Sequence, residues 1–579
     1  MSTSIATGGQ RLFDDEQRLA LDAAIEELSG GELRWTTLTL HDRARLLKGV
    51  HATVAANAQD WAETASAIKG LDASSELTGE EWTSGPYAVL SSLLTLAHAL
   101  DELDAGRSPL AGVRFGTAPG DRITVSVLPH SAHDALLFHG FRAEVWMPPA
   151  VSKEQVQASA GLGARTPTLT GGVGLVLGAG NITSIPPLDV LYELIANNRV
   201  SVLKLNPVMA EMESVYRRAL APLIEADLLR IVQGGAEPGG YLAHHPRIAH
   251  VHITGSAATH DVIVYGAGAA GRERKVADTP LLDKPITSEL GGVGPIIVLP
   301  GVWTRKDLRY QAEHVVTMRL HNGGYNCIAG QIIVLSSDWP QKDAFLAEVR
   351  EVFENAPHRP AWYPGSVGRV DAVAAEYPRA ERFGVGGGRL LVNITAEDDA
   401  SMIQTVESFS PVLGVIEIAG VGQEFLNAAV RTVNRDLLGT LGANIIAQPR
   451  DSKALGAGFR EAIAGLEYGT IAINAWTGVG FSSAAPWGAF PGHPLNDVQS
   501  GRGVVHNALL ISEPERTVVT GPFRPFPRSF AHGEFALFPK PPWFVTSRSA
   551  ASTGRKLAGF RAKPSWLRMP GVFAAAFRA

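Results

Sequence analysis

The sequence predicts an α/β protein in which parallel sheets alternate with helices. Over residues 171–253, short buried apolar runs alternate with longer helical segments, an order that forms βαβ units. A second cycle of strand, helix and strand runs over residues 289–335 and contains Cys327, the only cysteine of the chain. Because parallel strands end at the same edge of a sheet, we expect the loops that follow them to line a ligand crevice.

The individual elements follow from local periodicity. Helical spacing of apolar residues predicts helices in residues 13–28 and 41–68, and alternation over 121–150 predicts strands of a small, partly exposed sheet. The βαβ region is predicted as strand 172–177, helix 188–196, strand 200–205, helix 209–225, strand 229–232, a helix from Gly239 and strand 248–253. The second cycle is predicted as strand 296–299, helix 306–320 and strand 331–335.

Charge is distributed unevenly along the 579 residues. The formal net charge is −6, but residues 516–579 hold 11 Lys or Arg and one acid, which gives +10 there and therefore −16 over the rest. An acidic body is not typical of a nucleic-acid-binding protein. The first residues lack an apolar signal-like stretch, and no run reaches the roughly 18 apolar residues of a membrane span. With a single thiol in addition, we expect a cytoplasmic protein that does not cross a membrane.

Cys327 lies in the glycine-rich, polar string HNGGYNCIAGQ, residues 321–331. A lone cysteine is by default a small buried hydrophobic residue. The glycines before it and the Ala-Gly pair after it instead favour a thiol that is presented on a loop. A nucleophilic thiol needs that exposure, and it needs help to ionise because a free thiol titrates near about 8.5. From this string alone, a structural and a catalytic cysteine are both compatible with the sequence.

Several strings, in order and at suitable spacing, resemble the aldehyde dehydrogenase superfamily over roughly residues 30–512. They are Gly180-Asn181 with Lys204 further on, Ile253-Thr254-Gly255-Ser256, Ser288-Glu289-Leu290-Gly291-Gly292, Asn322 to Cys327, Glu407-Ser408-Phe409-Ser410-Pro411, Pro486-Trp487-Gly488 and Ser500-Gly501-Arg502-Gly503. The resemblance implies an aldehyde dehydrogenase-like fold with a Rossmann-type NAD(P)-binding domain (10–120 and 169–288) and an α/β catalytic domain (289–502). It also implies a small β oligomerisation arm (121–168 and 503–520) in a homodimer or homotetramer.

The same resemblance implies a chemistry for three residues. Cys327 would attack an aldehyde, and the Asn181 side-chain amide and the Cys327 backbone N–H would stabilise the oxyanion that forms. Glu289 would activate water to hydrolyse the thioester. Taken alone, Asn181 is equally a turn residue, and Glu289 is equally an acid at a strand end near solvent.

Six further residues would bind the cofactor by the same resemblance. Lys204 would contact the adenosine ribose, Ser256 would cap a helix after Thr254 and Gly255 so that its N-terminus lies near the pyrophosphate, Glu407 would bind the nicotinamide ribose and Phe409 would pack near the ring. Their ordinary interpretations are a solvated lysine, a helix cap, a surface acid and a core aromatic residue.

The sequence departs from the family pattern mainly on the cofactor side. Pro207 stands where an acid usually binds the ribose hydroxyls, so that a hydrogen bond and also a repulsion against a 2′-phosphate are lost. NAD and NADP are therefore both compatible with the sequence. His260 and Tyr325 also depart from the pattern.

Two rival functions stay open. The first is a CoA-acylating dehydrogenase, against which Glu289 argues because such family members commonly lack that acid. The second is a cofactor-binding or scaffold protein without turnover. Trp476, Phe481 and Trp487 are compatible with an aromatic pocket for a bulky or apolar aldehyde and equally with a core.

Four histidines and the C-terminal extension complete the sequence-based predictions. The spacing of His244, His245, His250 and His252 fits no common zinc pattern, so we predict no metal. Residues 521–579 are basic and rich in Pro and aromatic side chains, a composition compatible with single-stranded nucleic acid or with an acidic protein surface. We favour the second interpretation, in which the extension docks on a partner subunit of the oligomer.

Overall fold

A computed structural model describes residues 13–579 and contains two β-sheets. Residues 1–12, which hold the start of the first predicted domain and the N-terminus without a signal-like stretch, lie outside the described residues. The strands are β1 (Phe115–Ala118), β2 (Arg122–Leu128), β3 (Arg142–Trp146), β4 (Val173–Leu177), β5 (Val200–Lys204), β6 (Leu229–Val232), β7 (Ile248–Gly255), β8 (Ile286–Leu290), β9 (Gly294–Val298), β10 (Gly330–Ser336), β11 (Glu381–Phe383), β12 (Arg389–Asn393), β13 (Val412–Ile418), β14 (Gly442–Ile446), β15 (Thr470–Ile473), β16 (Gly501–Arg502) and β17 (Arg516–Thr520).

Helices surround both sheets. They are α1 (Asp15–Thr37), α2 (Leu40–Ala56), α3 (Ala58–Ile68), α4 (Thr78–Trp82), α5 (Ala88–Asp104), α6 (Ala132–Leu137), α7 (Lys153–Ser159), α8 (Ile185–Asn197), α9 (Glu213–Ala219), α10 (Ala221–Glu225), α11 (Ala236–His244), α12 (Ala257–Tyr265), α13 (Gly268–Ala277), α14 (Arg305–Leu320), α15 (Lys342–Asn355), α16 (Ser366–Glu376), α17 (Ser401–Thr405), α18 (Gly422–Asp436), α19 (Pro449–Leu455), α20 (Ala457–Gly465), α21 (Thr477–Phe481), α22 (Arg528–Ala531), α23 (Ala550–Ala562) and α24 (Met569–Ala576). Within residues 13–579, no helix combines the length and the apolar character that crossing a membrane requires.

The smaller sheet has the strand order β16-β8-β7-β4-β5-β6. Every neighbouring pair is parallel except β16 and β8. From β4 the chain continues to β5 and β6 on one side and then returns to β7 and β8 on the other. The connections therefore diverge between the carboxyl ends of β4 and β7, which is where open parallel sheets form a ligand crevice.

The larger sheet has the strand order β1-β2-β3-β17-β15-β14-β9-β10-β13-β12-β11. Its centre is parallel, while β11 at one edge and β3, β2 and β1 at the other run antiparallel. The small sheet expected around residues 121–150 is thus not separate, because β3 pairs with β17 and joins those strands to the larger sheet.

The predicted βαβ strands are confirmed, but two predicted helices are broken. The helix expected over residues 41–68 is divided at Asn57 into α2 and α3. The helix expected over 209–225 consists of a short 3₁₀ turn, α9 and α10. At the second break Leu220 leaves helical geometry (φ −105°, ψ 16°), and Pro222 follows in the first turn of α10, where its missing N–H is tolerated.

The C-terminal extension packs on the body of its own chain rather than standing free for a partner subunit. The Arg524 guanidinium donates to both carboxylate oxygens of Asp307, at 3.0 and 3.2 Å. Lys540 lies 2.7 Å from Glu313, and Arg561 pairs with Asp134. The prediction of a complementary acidic surface therefore holds within one chain, whose acidic body meets its own basic extension.

Candidate active site

The loop that carries Cys327 is built from left-handed backbone. It follows α14 and precedes β10, and residues Asn322, Gly323 and Gly324 have φ of 54°, 72° and 82°. A Cβ at Gly324 would lie 3.0 Å from the carbonyl oxygens of Arg319 and Ser410, so both conformation and space require glycine there. The turn leaves Cys327 as a partly exposed free thiol.

Side-chain amides hold this loop against the end of β4. Asn322 donates through Nδ2 to the carbonyls of Asn181 (3.2 Å) and Tyr325 (3.1 Å), while Asn181 donates through Nδ2 to the Tyr325 carbonyl (2.9 Å). An amide carries two N–H donors, so Asn181 keeps a second one for another acceptor. The sequence analysis quoted Asn322 within its motif but assigned it no role.

Buried charged side chains stabilise the loop that carries Cys327. The carboxylate of Glu80, on α4, accepts the backbone N–H of Asn322 at 2.9 Å and pairs with Arg359. Lys69 and Glu81 form a second, fully buried pair at 2.8 Å. The sequence analysis missed these residues because acids and bases in helical segments are usually on the surface.

Glu289 lies in β8 and is buried, which excludes its interpretation as an acid near solvent. Its Oε1 accepts the indole N–H of Trp487 at 3.1 Å. Burial raises the pKa of Glu289 to about 7. A carboxylate of that basicity is suited to take a proton from water at neutral pH.

The thiol of Cys327 is electrostatically suppressed in the protein alone. Burial raises its pKa well above the ordinary value, and the nearby carboxylates of Glu289 and Glu407 raise it further. The thiolate is the reactive form, so Cys327 is mostly protonated and unreactive at neutral pH unless another group stabilises its charge.

Two cavities meet at Asn181 and Cys327. The first, called here the sheet-edge cavity, has a volume of about 470 Å³ and lies at the carboxyl ends of β4, β5, β7 and β8. All nine residues that the sequence analysis singled out line it: Asn181, Lys204, Thr254, Gly255, Ser256, Glu289, Cys327, Glu407 and Phe409. The second, called the apolar cavity, is lined by Trp476, Phe481 and Trp487 and by parts of the C-terminal extension.

The sheet-edge cavity has groups that fit a dinucleotide. Glu407 is half-buried, its buried Oε1 has no hydrogen-bond partner, and burial together with the charge of Glu289 raises its pKa to about 8. A side chain at position 291 would overlap this carboxylate, so Gly291 makes room for it. Burial lowers the pKa of Lys204 to about 8, and its Nζ reaches only the Leu205 carbonyl at 3.4 Å. Both groups have free capacity for sugar hydroxyls.

The segment that follows β7 contributes the N-terminus of α12, rather than side chains, to the sheet-edge cavity. Ser256 caps α12 by accepting the Thr259 N–H at 3.2 Å, so the positive end of α12 faces the cavity. The hydroxyl of Thr254 donates instead to Asp189 at 2.9 Å. Thr254 was expected to contact cofactor, but its hydroxyl is engaged within the protein.

Of the four histidines considered in the sequence, His250 and His252 are buried near Asp189 and Glu193, whereas His244 is exposed and His245 is half-buried. His252 lies 3.5 Å and His506 3.4 Å from the Asp189 carboxylate, and His250 faces Glu193 at 3.8 Å. Burial opposes ionisation, yet the two histidines lower the pKa of Asp189 to about 2. Within residues 13–579, no group of three or more His, Cys, Asp or Glu is arranged to hold a metal ion.

Two residues without a sequence signal position Glu407 and Phe409. The Oε1 of Gln331 accepts the Ser408 N–H at 2.8 Å, and Arg369 donates to the carbonyls of Ser408 (2.9 Å) and Phe409 (3.0 Å). Phe409 itself has a left-handed φ of 40°, a strained conformation that these contacts maintain.

Comparison with known proteins agrees with this geometry. Residues 188–364 match the model of the aldehyde dehydrogenase family. The chain is 30% identical over 339 residues to N-succinylglutamate 5-semialdehyde dehydrogenase of Sphingopyxis alaskensis, and the match spans 54% of this chain and 63% of that protein. Residues 188–364 are therefore similar to the aldehyde dehydrogenase family, and the chain spans less than two thirds of the length of that relative.

Solved structures confirm the predicted fold class. The chain is similar to an NAD-dependent aldehyde dehydrogenase from Sinorhizobium meliloti (17% identity, TM-score 0.57, 87% of this chain and 88% of that one). It is also similar to a Cys-to-Ala variant of aldehyde dehydrogenase C from Pseudomonas syringae complexed with NAD⁺ and octanal (18% identity, TM-score 0.56, 88% and 90% covered). At 17 and 18% identity, the similarity to these structures shows a shared fold and nothing finer.

The buried pair behind the cysteine loop predicts a large loss of stability in Glu80→Gln. The glutamine keeps an acceptor for Asn322 but leaves Arg359 buried without a carboxylate, so we expect the free energy of unfolding to fall by about 3 kcal/mol. Urea unfolding followed by tryptophan fluorescence measures the change. The matched control is Glu351→Gln, which removes an acid that is 60% exposed and pairs with Arg309. It should cost at most about 1 kcal/mol, and equal losses in the two variants would contradict the assignment.

The environment of Cys327 predicts slow alkylation by iodoacetamide at pH 7. The rate should still be rising at pH 9, since burial and two carboxylates hold the thiol pKa above its ordinary value. Glu289→Gln removes one of those charges and should move the profile to lower pH, with the contribution of burial unchanged. Mass spectrometry reads the modification at the chain's only cysteine. A plateau below pH 8 in the native chain would show that the thiol is not suppressed.

Proposed function

We propose that this chain oxidises an aldehyde to a carboxylic acid with NAD or NADP, through a thiohemiacetal and a thioester on Cys327. The observation that carries the proposal is the meeting of two cavities at Cys327 and Asn181, next to a buried acid whose pKa is about 7. One cavity has the polar groups that a dinucleotide needs, and the other is apolar.

Each residue would have one role. The Cys327 thiolate forms a bond to the carbonyl carbon, and the electrons of the C=O double bond move to oxygen, where the free N–H of Asn181 and the Cys327 backbone N–H stabilise them. The bound cofactor would supply the acceptor for the hydride that leaves this carbon and a positive charge beside the thiol. The C=O bond then re-forms as a thioester.

Glu289 would complete the reaction. Its carboxylate takes a proton from a water molecule, the oxygen bonds to the thioester carbon, and the C–S bond breaks to release the acid and the thiolate. Trp487 holds the carboxylate in place through its indole N–H. The presence of this base favours water over CoA as the acceptor, and product analysis with and without CoA tests that choice.

Lys204, Glu407 and the N-terminus of α12 would hold the cofactor. After Lys204 the chain continues with Asn206, which caps a short turn, and Pro207, which begins that turn. No acid therefore stands where the adenosine ribose would bind. We therefore propose that both NAD and NADP are accepted, which parallel rate measurements with the two cofactors test. An oligomer built through the arm residues 121–168 and 503–520 stays a prediction, tested by light scattering.

Cys327→Ala should abolish the formation of NAD(P)H. We expect a loss of at least about 10³-fold in kcat, because no covalent intermediate can form. Near-ultraviolet absorbance measures the product with a panel of aldehydes, and fluorescence titration of the cofactor serves as the control for an intact sheet-edge cavity. Unchanged oxidation in the variant would overturn the mechanism. No oxidation by the native chain, with cofactor binding retained, would favour the scaffold alternative.

Glu289→Gln should separate the two halves of the reaction. Attack and hydride transfer do not need the base, so a burst of about one NAD(P)H per site should remain while steady turnover falls about 10²- to 10⁴-fold. In the native chain turnover should rise with pH through about 7, since Glu289 acts as a base only when deprotonated. The variant should lose that rise. A variant without a burst but with native pH dependence would contradict the role.

A further inference from the structure

The C-terminal extension lines the apolar cavity that ends at Cys327. Phe538, Trp543, Leu557 and Val572 are on this side of the cavity, opposite a body surface that includes Phe141. The rings of Trp543 and Phe141 meet edge to face with centroids 5.4 Å apart. One segment outside the resemblance to the superfamily therefore completes the space next to the reactive thiol.

This wall is fixed with respect to the cysteine loop. Helix α23 of the extension packs on α4 so closely that a Cβ at Gly79 would overlap the backbone of Ala550, and a Cβ at Gly554 would lie 2.8 Å from the Gly79 carbonyl oxygen. Helix α4 also carries Glu80, which accepts the backbone N–H of Asn322. The extension and the thiol are thus anchored to the same short helix.

The cavity is mostly apolar, and although His139 and His321 line it, it holds within residues 13–579 no lysine or arginine for an acidic substrate. Among the described residues that line it, none is Lys, Arg, Asp or Glu. Burial lowers the pKa of His321, so this lining residue is neutral at pH 7. A carboxylate placed here would lose its hydration without gaining a cation, which is costly.

The size of the cavity limits the substrate further. Its volume is about 110 Å³, somewhat less than the roughly 150 Å³ of an engineered apolar cavity that binds benzene. A single ring or a short alkyl chain matches this space.

We propose that the C-terminal extension is a specificity element, the wall of a substrate cavity that selects uncharged aromatic or medium-chain aliphatic aldehydes and rejects aldehydes that carry a carboxylate. The proposal deepens the proposed function and rests on it for the aldehyde. One relative is named for N-succinylglutamate 5-semialdehyde, which is an acidic aldehyde. The proposal therefore predicts that this chain prefers a different class of substrate. Because Cys327 is the only thiol, the rate of its alkylation measures the selectivity of the cavity without any aldehyde oxidation.

Two adjacent aromatic residues of the extension provide a matched test. Trp543 lines the cavity, whereas Phe544 stacks on Tyr310 (5.4 Å) and His314 (5.2 Å) of α14 and does not line it. In the native chain, kcat/KM should rise roughly fourfold per methylene from propanal to hexanal. Succinic semialdehyde should react at least about 100-fold more slowly than isohexanal, in which an isopropyl group replaces the carboxylate.

Trp543→Ala should lower the hexanal-to-propanal ratio of kcat/KM about tenfold, because the wall is opened to water. Phe544→Ala should leave that ratio unchanged even if its melting temperature falls. If Trp543→Ala does not fold, Leu557→Ala is the milder wall variant and should lower the ratio by a few-fold. An unchanged ratio in the wall variants, or equal changes in wall and control variants, would overturn the proposal.

Alkylation of Cys327 distinguishes failure of the wall from failure of the proposed function. The reagents are an iodoacetamide with a hexyl chain and one with a chain of equal length that ends in a carboxylate. We expect the hexyl reagent to react at least about tenfold faster with the native chain, and Trp543→Ala to reduce this preference while Phe544→Ala preserves it. Selective alkylation without aldehyde oxidation would support the wall and reject the dehydrogenase. Aldehyde oxidation that shows no preference between the two iodoacetamides and none between charged and uncharged aldehydes would support the dehydrogenase and reject the wall.

Discussion

The site depends on the confinement of two acids, the Cys327 thiol and the Glu289 carboxyl, in one poorly solvated junction. Burial raises the pKa of both groups, and the charge of Glu289 raises the pKa of Cys327 further. At neutral pH the thiol therefore resists ionising beside a charged carboxylate, and the proposed nucleophile and base, which act in succession, suit that constraint. The Glu289 carboxylate is held by the indole N–H of Trp487.

The two sheets make this junction possible. The smaller sheet brings Asn181, Lys204 and Glu289 to the ends of parallel strands, and the larger sheet presents Cys327 on the loop before β10. The position of the loop is then set by directional contacts, because Asn322 and Glu80 together hold its backbone from both sides. Packing alone would leave a glycine-rich turn free to move, whereas buried hydrogen bonds fix its conformation.

Local signals in the sequence predicted the βαβ strands through apolar periodicity and the cysteine loop through its glycines, two of which have a left-handed φ in the structure. The other residues around the thiol followed only from the resemblance to the superfamily. The roles of Glu80, Gln331 and Arg369 could not be found in this way, because their partners are more than thirty residues distant in the sequence. The hydrogen bond from the Thr254 hydroxyl to Asp189 also has no local signal, since Asp189 lies in a helix with no distinguishing pattern.

The basic composition of the extension predicts an acidic docking surface, but composition does not show where on the protein that surface lies. The charge of +10 over residues 516–579 predicted an acidic docking surface on a partner subunit, whereas the folded chain places Asp307, Glu313 and Asp134 of the same molecule against the extension. The ion pairs fix the segment on the body of the chain, where Phe523, Phe544 and Phe560 are buried. The turn at Pro541, closed by the Phe544 N–H at 3.1 Å, then directs Trp543 to the cavity and Phe544 to α14. Docking in cis thus places one aromatic ring in the wall of the apolar cavity and its neighbour in the core, so that the proposed role in specificity and the role in stability lie on different side chains.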